Sequence, residues 1–170
     1  VVTGGPFGQG TLCYDYTMPM CAHHVPPQPP TTTEDCSLVP TVAPTCTNYC
    51  QTNSSINYAN DKHKTSSNYG FGGDVVAIQN DIMTYGSVSA AFTVYEDFLS
   101  YTSGVYYYQT GASLGGHAIK MYGWGYDAAS GMNYWICMNS WNDTWGVEGG
   151  FWIEMGNCGI NNEVNAGHVF

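Results

Sequence analysis

The stretch GGHAIKMYGWG (115–125) decides how the chain reads. Its branched and aromatic side chains, bounded by glycines, predict a β-strand over 117–124. Working outward, two later segments have the same character, NYWICMNSW (133–141) and GFWIEM (150–155), with glycine-bearing turns at 129–131 and 147–150 between them. Before it, Val88, Ala90, Phe92 and Val94 alternate with small or polar residues, which is strand periodicity. Further upstream, Asp74 is placed to cap a helix with an apolar stripe of Val75, Ile78, Ile82 and Tyr85, and Gly86 is placed to end it. One helix followed by a run of short strands predicts an α+β fold with an antiparallel, barrel-like sheet.

The chain has 170 residues, enough for one core, and 44% of them are hydrophobic, so global disorder is excluded. Charge is the unusual feature. Three lysines and no arginine stand against 13 Asp and Glu, a formal net charge of −10. Nucleic acid requires a basic footprint that three lysines cannot supply, and an anionic membrane surface is excluded for the same reason. No apolar run approaches the roughly 18 residues that span a bilayer. Most carboxylates have no cation to pair with, and their mutual repulsion predicts raised carboxyl pKa values and tolerance of mild acid.

The first 60 residues have a different composition. All eight prolines lie at or before Pro44, whereas all five tryptophans lie at or after Trp124. The segment VPPQPPTTTEDC (25–36) predicts an irregular loop, since its prolines lack amide donors, and residues 36–60, free of Asp, Glu, Lys and Arg, continue it. Five of the seven cysteines lie between Cys13 and Cys50, the pattern of a disulfide framework made in an oxidising compartment. Seven is odd, so at least one thiol is free or bonded outside the chain. Cys21, His23, His24 and Cys36 have donor types suited to zinc, but their irregular spacing reads as disulfide, and no metal or cofactor is expected. Val1 is not a methionine, and the chain reads as a processed fragment of a secretory-pathway protein. Asn53 and Asn142 head glycosylation sequons; the first is expected to be modified and the second, close to Asn139 and Trp141, is not.

His117 opens its strand and Asn139 lies near the end of the next, so adjacent strand ends can bring them together. An imidazole acting as general base needs a partner that fixes its tautomer, and an amide oxygen serves. Taken alone, the pair is a weak signal, since a lone histidine is more often a satisfied structural residue.

The local strings go further. GGHAI (115–119), YGWG (122–125), YW (134–135), NSW (139–141), WG (145–146), GFWI (150–153), CGI (158–160) and EV (163–164) occur in the order of the papain family of cysteine peptidases. CAHHV (21–25), DKH (61–63), NDIM (80–83), VYEDFL (94–99) and SGVY (103–106) resemble its cathepsin B-like members, the first string matching their occluding loop. The resemblance implies a papain-like fold. Residues 1–56 would be a cleft-side segment with an occluding-loop-like insertion at about 21–36, and 57–170 the β-rich lobe bearing the His and Asn. It implies that His117 is the catalytic base, that Asn139 holds it and that Trp141 shields their bond. His23 and His24 would take a substrate's C-terminal carboxylate, giving dipeptide release. Gly116, Ala118 and Glu163 would line the substrate cleft. It pairs Cys13 with Cys50 and Cys21 with Cys36, and assigns Cys46 to a bond with an N-terminal segment.

None of the seven cysteines sits in the family's nucleophile sequence. The family's His follows its Cys by about 130–150 residues, so the nucleophile and the oxyanion-hole glutamine are expected ahead of Val1, in a light-chain-like partner. By this resemblance the chain alone is inactive. Assembled, it would cleave peptides and proteins and meet a propeptide or cystatin-like inhibitors, in a lysosome, a vacuole or another acidic compartment, or outside the cell. The competing expectation is a secreted, non-catalytic binding or matrix relative with a substituted nucleophile.

Overall fold

A computed structural model describes residues 1–26, 34–39, 42 and 44–168. Most of the Pro-Thr stretch expected as a loop (27–33) therefore lies outside the described residues. The chain divides into two compact units, Val1–Thr65 and Ser66–Phe170.

The first unit has little regular structure. Strands β1 (Gly4–Gly5) and β2 (Tyr14–Asp15) pair in parallel, and a single 3₁₀ turn spans Cys36–Leu38. Disulfides Cys13–Cys50 and Cys21–Cys36 close loops of the kind whose unfolded freedom is otherwise costly to remove. Asp61 accepts from the backbone N–H and the hydroxyl of Thr3 at 2.7 and 2.8 Å, tying the two ends of this unit.

The second unit contains β3 (Tyr69–Gly70), helix α1 (Val75–Tyr85), β4 (Val88–Tyr95), β5 (Val105–Tyr106), β6 (Ser113–Asp127), β7 (Met132–Met138), β8 (Gly150–Glu154) and β9 (Glu163–Ala166). Its sheet runs β3-β9-β4-β6-β7-β8-β5, antiparallel throughout except for the β5–β8 pair. The Asp74 side chain caps α1 by accepting from the Ala77 N–H at 3.0 Å, and Gly86 ends it at φ 103°. The expected stripe is narrower than its spacing suggests. Ile78 and Ile82 are buried, Val75 is half-buried, and Tyr85 is 65% exposed with its ring 4.1 Å from that of His168. Asp81 takes the buried position instead. Its carboxylate accepts from the Tyr69 hydroxyl at 2.6 Å, a bond that, with burial, pushes the Tyr69 pKa up to about 12.

In β4 the alternation holds, with Val88, Ala90, Phe92 and Val94 all buried. The core under this strand is aromatic. Phe98, in the 3₁₀ turn Glu96–Ser100, is fully buried, with Phe92, Tyr106, Trp141, Trp145 and Phe151 around it at centroid distances of 4.8–5.4 Å. Each such ring contributes about 1.5–3 kcal/mol of burial free energy. Gly146, at φ 61°, turns the chain so tightly that a Cβ there would strike the Gly150 carbonyl.

Four aspartates run opposite to the rise expected from carboxylate repulsion. Asp35, Asp61, Asp97 and Asp127 are all held below the ordinary carboxyl value, because N–H and O–H donors take the place of absent cations. At Asp97 burial works upward and loses to the Gln109 and Thr110 N–H groups and the Tyr106 hydroxyl, which donate at 2.7–3.1 Å.

Candidate active site

Strand pairing brings His117 and Asn139 together. Val94 faces Gly115 while Tyr95 faces Ser113, so Leu114 bulges out of the β4–β6 ladder; Gly115 takes φ 111°, which favours glycine. His117 follows two residues on, opposite Phe92, and Lys120 pairs with Met138 at the end of β7. Asn139 is the next residue. Its N–H donates to the Gly149 carbonyl at 3.0 Å. The chain thus leaves the ladder one residue before Asn139, which frees that side chain to turn toward the imidazole.

His117 Nε2 lies 2.7 Å from Asn139 Oδ1. The same oxygen accepts from the Ser140 N–H at 2.8 Å, so it is the amide oxygen that faces the ring. Nε2 therefore carries the proton, and Nδ1 is the ring nitrogen left to act as an acceptor. Asn139 Nδ2 is buried and has no hydrogen-bond partner among the described residues. Trp141 stacks on the imidazole at 5.1 Å and 30° and is itself 6% exposed, while Phe92 closes another side at 6.0 Å. These rings keep water from the bond and lower the local dielectric, which strengthens it. A Cβ placed on Gly115 or Gly116 would meet nothing within 4 Å, so the surface beside His117 is open.

Two recesses flank the histidine. Gly116 lines a cavity of about 180 Å³ with Ala91, Thr93, Cys158 and Glu163. Ala118 lines an open groove of about 490 Å³ with Ser89, Lys120, Met138 and Asn139. Glu163 and Gly116 therefore share one recess, and Ala118 belongs to the other. Pairing of Ala91 with Glu163 puts the carboxylate on the strand next to β4.

His23 and His24 belong to the first unit, stacked at 4.1 Å, with His24 exposed and at φ 57°. Asp35 lies near both rings; its hydrogen bonds from Ser37, and secondarily the attraction of these imidazoles, lower its pKa. Cys46 is an exposed free thiol in a pocket of about 610 Å³ lined by Val2, Tyr14, Tyr58 and Lys62 among others. Asn53 is exposed in a turn, whereas Asn142 is half-buried and its side chain accepts from the Asp143 N–H at 2.9 Å. The remaining free thiols are not activated: burial pushes Cys137 strongly upward and Cys158 to about 11. Among the described residues no group of three or more His, Cys, Asp or Glu can hold a metal ion.

Two parts of this arrangement escape the sequence reading. Phe98, the hub beneath Trp141, sits in a 3₁₀ turn with no periodicity to mark it. The Ser140 N–H bond that orients Asn139 is a local backbone event. Only the NSW string (139–141) hinted at it.

A family model described as papain family cysteine protease matches residues 11–168. Cathepsin B of Dictyostelium discoideum is 44% identical over 155 residues, 91% of this chain and 46% of that protein. A cathepsin B-like cysteine proteinase of Schistosoma japonicum is 41% identical over 171 residues, 99% of this chain and 48% of its own length. Among solved structures, procathepsin B S9 from Trypanosoma congolense superposes with a TM-score of 0.65 at 32% identity, over 75% of this chain and 42% of that one. Digestive procathepsin L2 from Tenebrio molitor larval midgut gives 0.58 at 29% identity, over 68% of this chain and 38% of that one. The chain thus spans about half the length of the curated relatives it matches. With these matches on a sheet that brings an imidazole and an amide together under a tryptophan, the chain belongs to the papain family of cysteine proteases, among its cathepsin B-like members.

Proposed function

We propose that this chain is the His/Asn-bearing half of a cathepsin B-like cysteine peptidase that works once an N-terminal segment supplies the nucleophilic thiol. The observation that carries this reading is the 2.7 Å His117–Asn139 bond beneath Trp141. Holding Nε2–H on Asn139 leaves Nδ1 to take the thiol proton, giving a thiolate and an imidazolium. The thiolate attacks the scissile carbonyl carbon and a C–S bond forms. The imidazolium then protonates the leaving amine as the C–N bond breaks, and the neutral ring deprotonates the water that releases the acyl group. The oxyanion donors come from the same N-terminal segment.

Cys46, exposed and unpaired, is the thiol that joins this segment. The imidazolium forms of His23 and His24 take the C-terminal carboxylate of a peptide, so that dipeptides are released in acid. Glu163 selects a basic side chain at the second residue before the cut. The substrates are peptides and proteins, a propeptide and cystatin-like inhibitors cover the same cleft, and an acidic endocytic compartment or the extracellular space is the place of action. Asn53 carries the glycan.

Co-expression with the N-terminal half is the test. The assembly cleaves a peptide with arginine two residues before the cut, and His117→Ala abolishes cleavage. An assembly carrying an intact nucleophile that cleaves equally well after His117→Ala would overturn the reading. A substituted nucleophile would instead assign the chain to a non-catalytic relative.

A further inference from the structure

In a chain of net charge −10, residues 36–60 carry no Asp, Glu, Lys, Arg or His. Within this neutral stretch, residues 48–59 surround an open recess of about 500 Å³, whose walls include Asn48, Tyr49, Thr52, Ser54, Asn57 and Tyr58. That size falls in the range of about 300–1,000 Å³ usual for small-ligand sites. Amides and hydroxyls without charge suit a neutral, hydroxyl-rich ligand, because no ion has to be compensated when water leaves. The hydrogen bonds already made here use acceptors. Ser54 Oγ accepts from the Ile56 N–H at 3.2 Å, and Asn57 Oδ1 accepts from the Ala59 and Asn60 N–H groups at 3.0 and 3.3 Å. The Ser54 hydroxyl hydrogen and the Asn57 Nδ2 hydrogens are left to donate. Tyr58 has the Lys62 ammonium over its ring at 4.9 Å, whereas Tyr49 is 62% exposed. Sugars meet proteins through such groups, an apolar C–H face on an aromatic ring and hydroxyl or acetamido groups on neutral partners.

Asn53 stands at the rim of this recess. The Ser54 N–H donates to the Gln51 carbonyl at 3.0 Å, making a turn with Thr52 and Asn53 at its corner. The turn is anchored from below by the Cys13–Cys50 disulfide and by Gln51, whose N–H donates to the Cys13 carbonyl at 2.9 Å and whose Nε2 donates to the Leu12 carbonyl at 3.1 Å. Asn53 lies between two lining residues, Thr52 and Ser54, yet is itself exposed and heads the sequon Asn53-Ser-Ser55. A saccharide attached to its Nδ2 starts beside the recess and is held there at high effective concentration.

We propose that the recess beside Asn53 is a saccharide site, and that the two inner N-acetylglucosamine units of a glycan on Asn53 occupy it, with one sugar face on Tyr49. The inference rests on the reading that Asn53 is glycosylated. It adds where that glycan lies and what it does: it folds back over the turn and braces the loop closed by Cys13–Cys50.

The test uses the assembled protein secreted from a glycosylating host, with Ser55→Ala as the reference that removes the sequon and keeps Asn53. The Asn53-glycosylated protein melts about 2 °C or more above Ser55→Ala; Tyr49→Ala abolishes that gain but shifts the Ser55→Ala melting point by less than about 1 °C. An endoglycosidase that cuts between the two inner sugars releases the Asn53 glycan at least about tenfold faster from Tyr49→Ala than from the native protein. Mass spectrometry of the Asn53 peptide separates the two claims. A glycosylated Asn53 with equal release rates and an equal melting gain in Tyr49→Ala contradicts this inference alone. An unmodified Asn53 contradicts both.

Discussion

Asn139 Oδ1 stands 2.7 Å from His117 Nε2 and also accepts the Ser140 N–H at 2.8 Å, so a single amide oxygen sets both the tautomer and the tilt of the imidazole. Everything proposed for the chain's chemistry passes through that relationship. The ring is left with one free nitrogen, pointing away from its own anchor.

The cover over this bond is structural as well as electrostatic. Trp141 touches Phe98 and Trp145 at centroid distances of 5.4 and 5.0 Å in addition to His117. Trp141→Ala removes a buried ring and is expected to cost about 3–5 kcal/mol in urea unfolding, with kcat of the assembly falling as water reaches the His–Asn bond. Trp141→Phe keeps part of both. If Trp141→Ala unfolded at the same urea concentration as the native chain, the ring would contribute nothing to the core around Phe98.

Much of this was legible beforehand. Spacing alone marked β4, β6, β7, β8 and the Asp74 cap, because alternation and capping are local. The three short strands β3, β5 and β9 were not, since they have two to four residues each and exist only through pairing with distant partners. Asp81 shows the same limit. On α1 it reads as a surface carboxylate, and only the Tyr69 hydroxyl from β3 makes its burial tolerable. His117 and Asn139 were legible as a pair through ordered strings, whereas the rings and backbone donors that hold them were not.

Glu163 shares its recess with Gly116, beside the histidine. Glu163→Gln keeps the shape and removes the charge. The assembly's kcat/KM for a substrate with arginine two residues before the cut is expected to fall on the order of tenfold, with little change for leucine there. Equal losses on both substrates would show that the carboxylate does not read the basic side chain.

The lowered carboxyl pKa values fix the acid behaviour. Asp35, Asp61, Asp97 and Asp127 titrate below their unfolded value, so their contribution to stability is fully present above that value and is lost as pH falls through the folded ones. Thermal midpoints should therefore receive no loss from these groups between about pH 7 and pH 5 and should decline below about pH 4. A midpoint that rose steadily below about pH 4 would contradict the assigned direction.

The most direct measurement is the pH profile of alkylation of the nucleophilic thiol in the assembled protein. With His117 in place, reaction with iodoacetamide should continue well below the ordinary thiol range of about 8.5, because the thiolate is maintained as an ion pair with imidazolium. In His117→Ala the profile should return to that ordinary range. Superimposable profiles for the two proteins would contradict the claim that His117, anchored by Asn139, is the base.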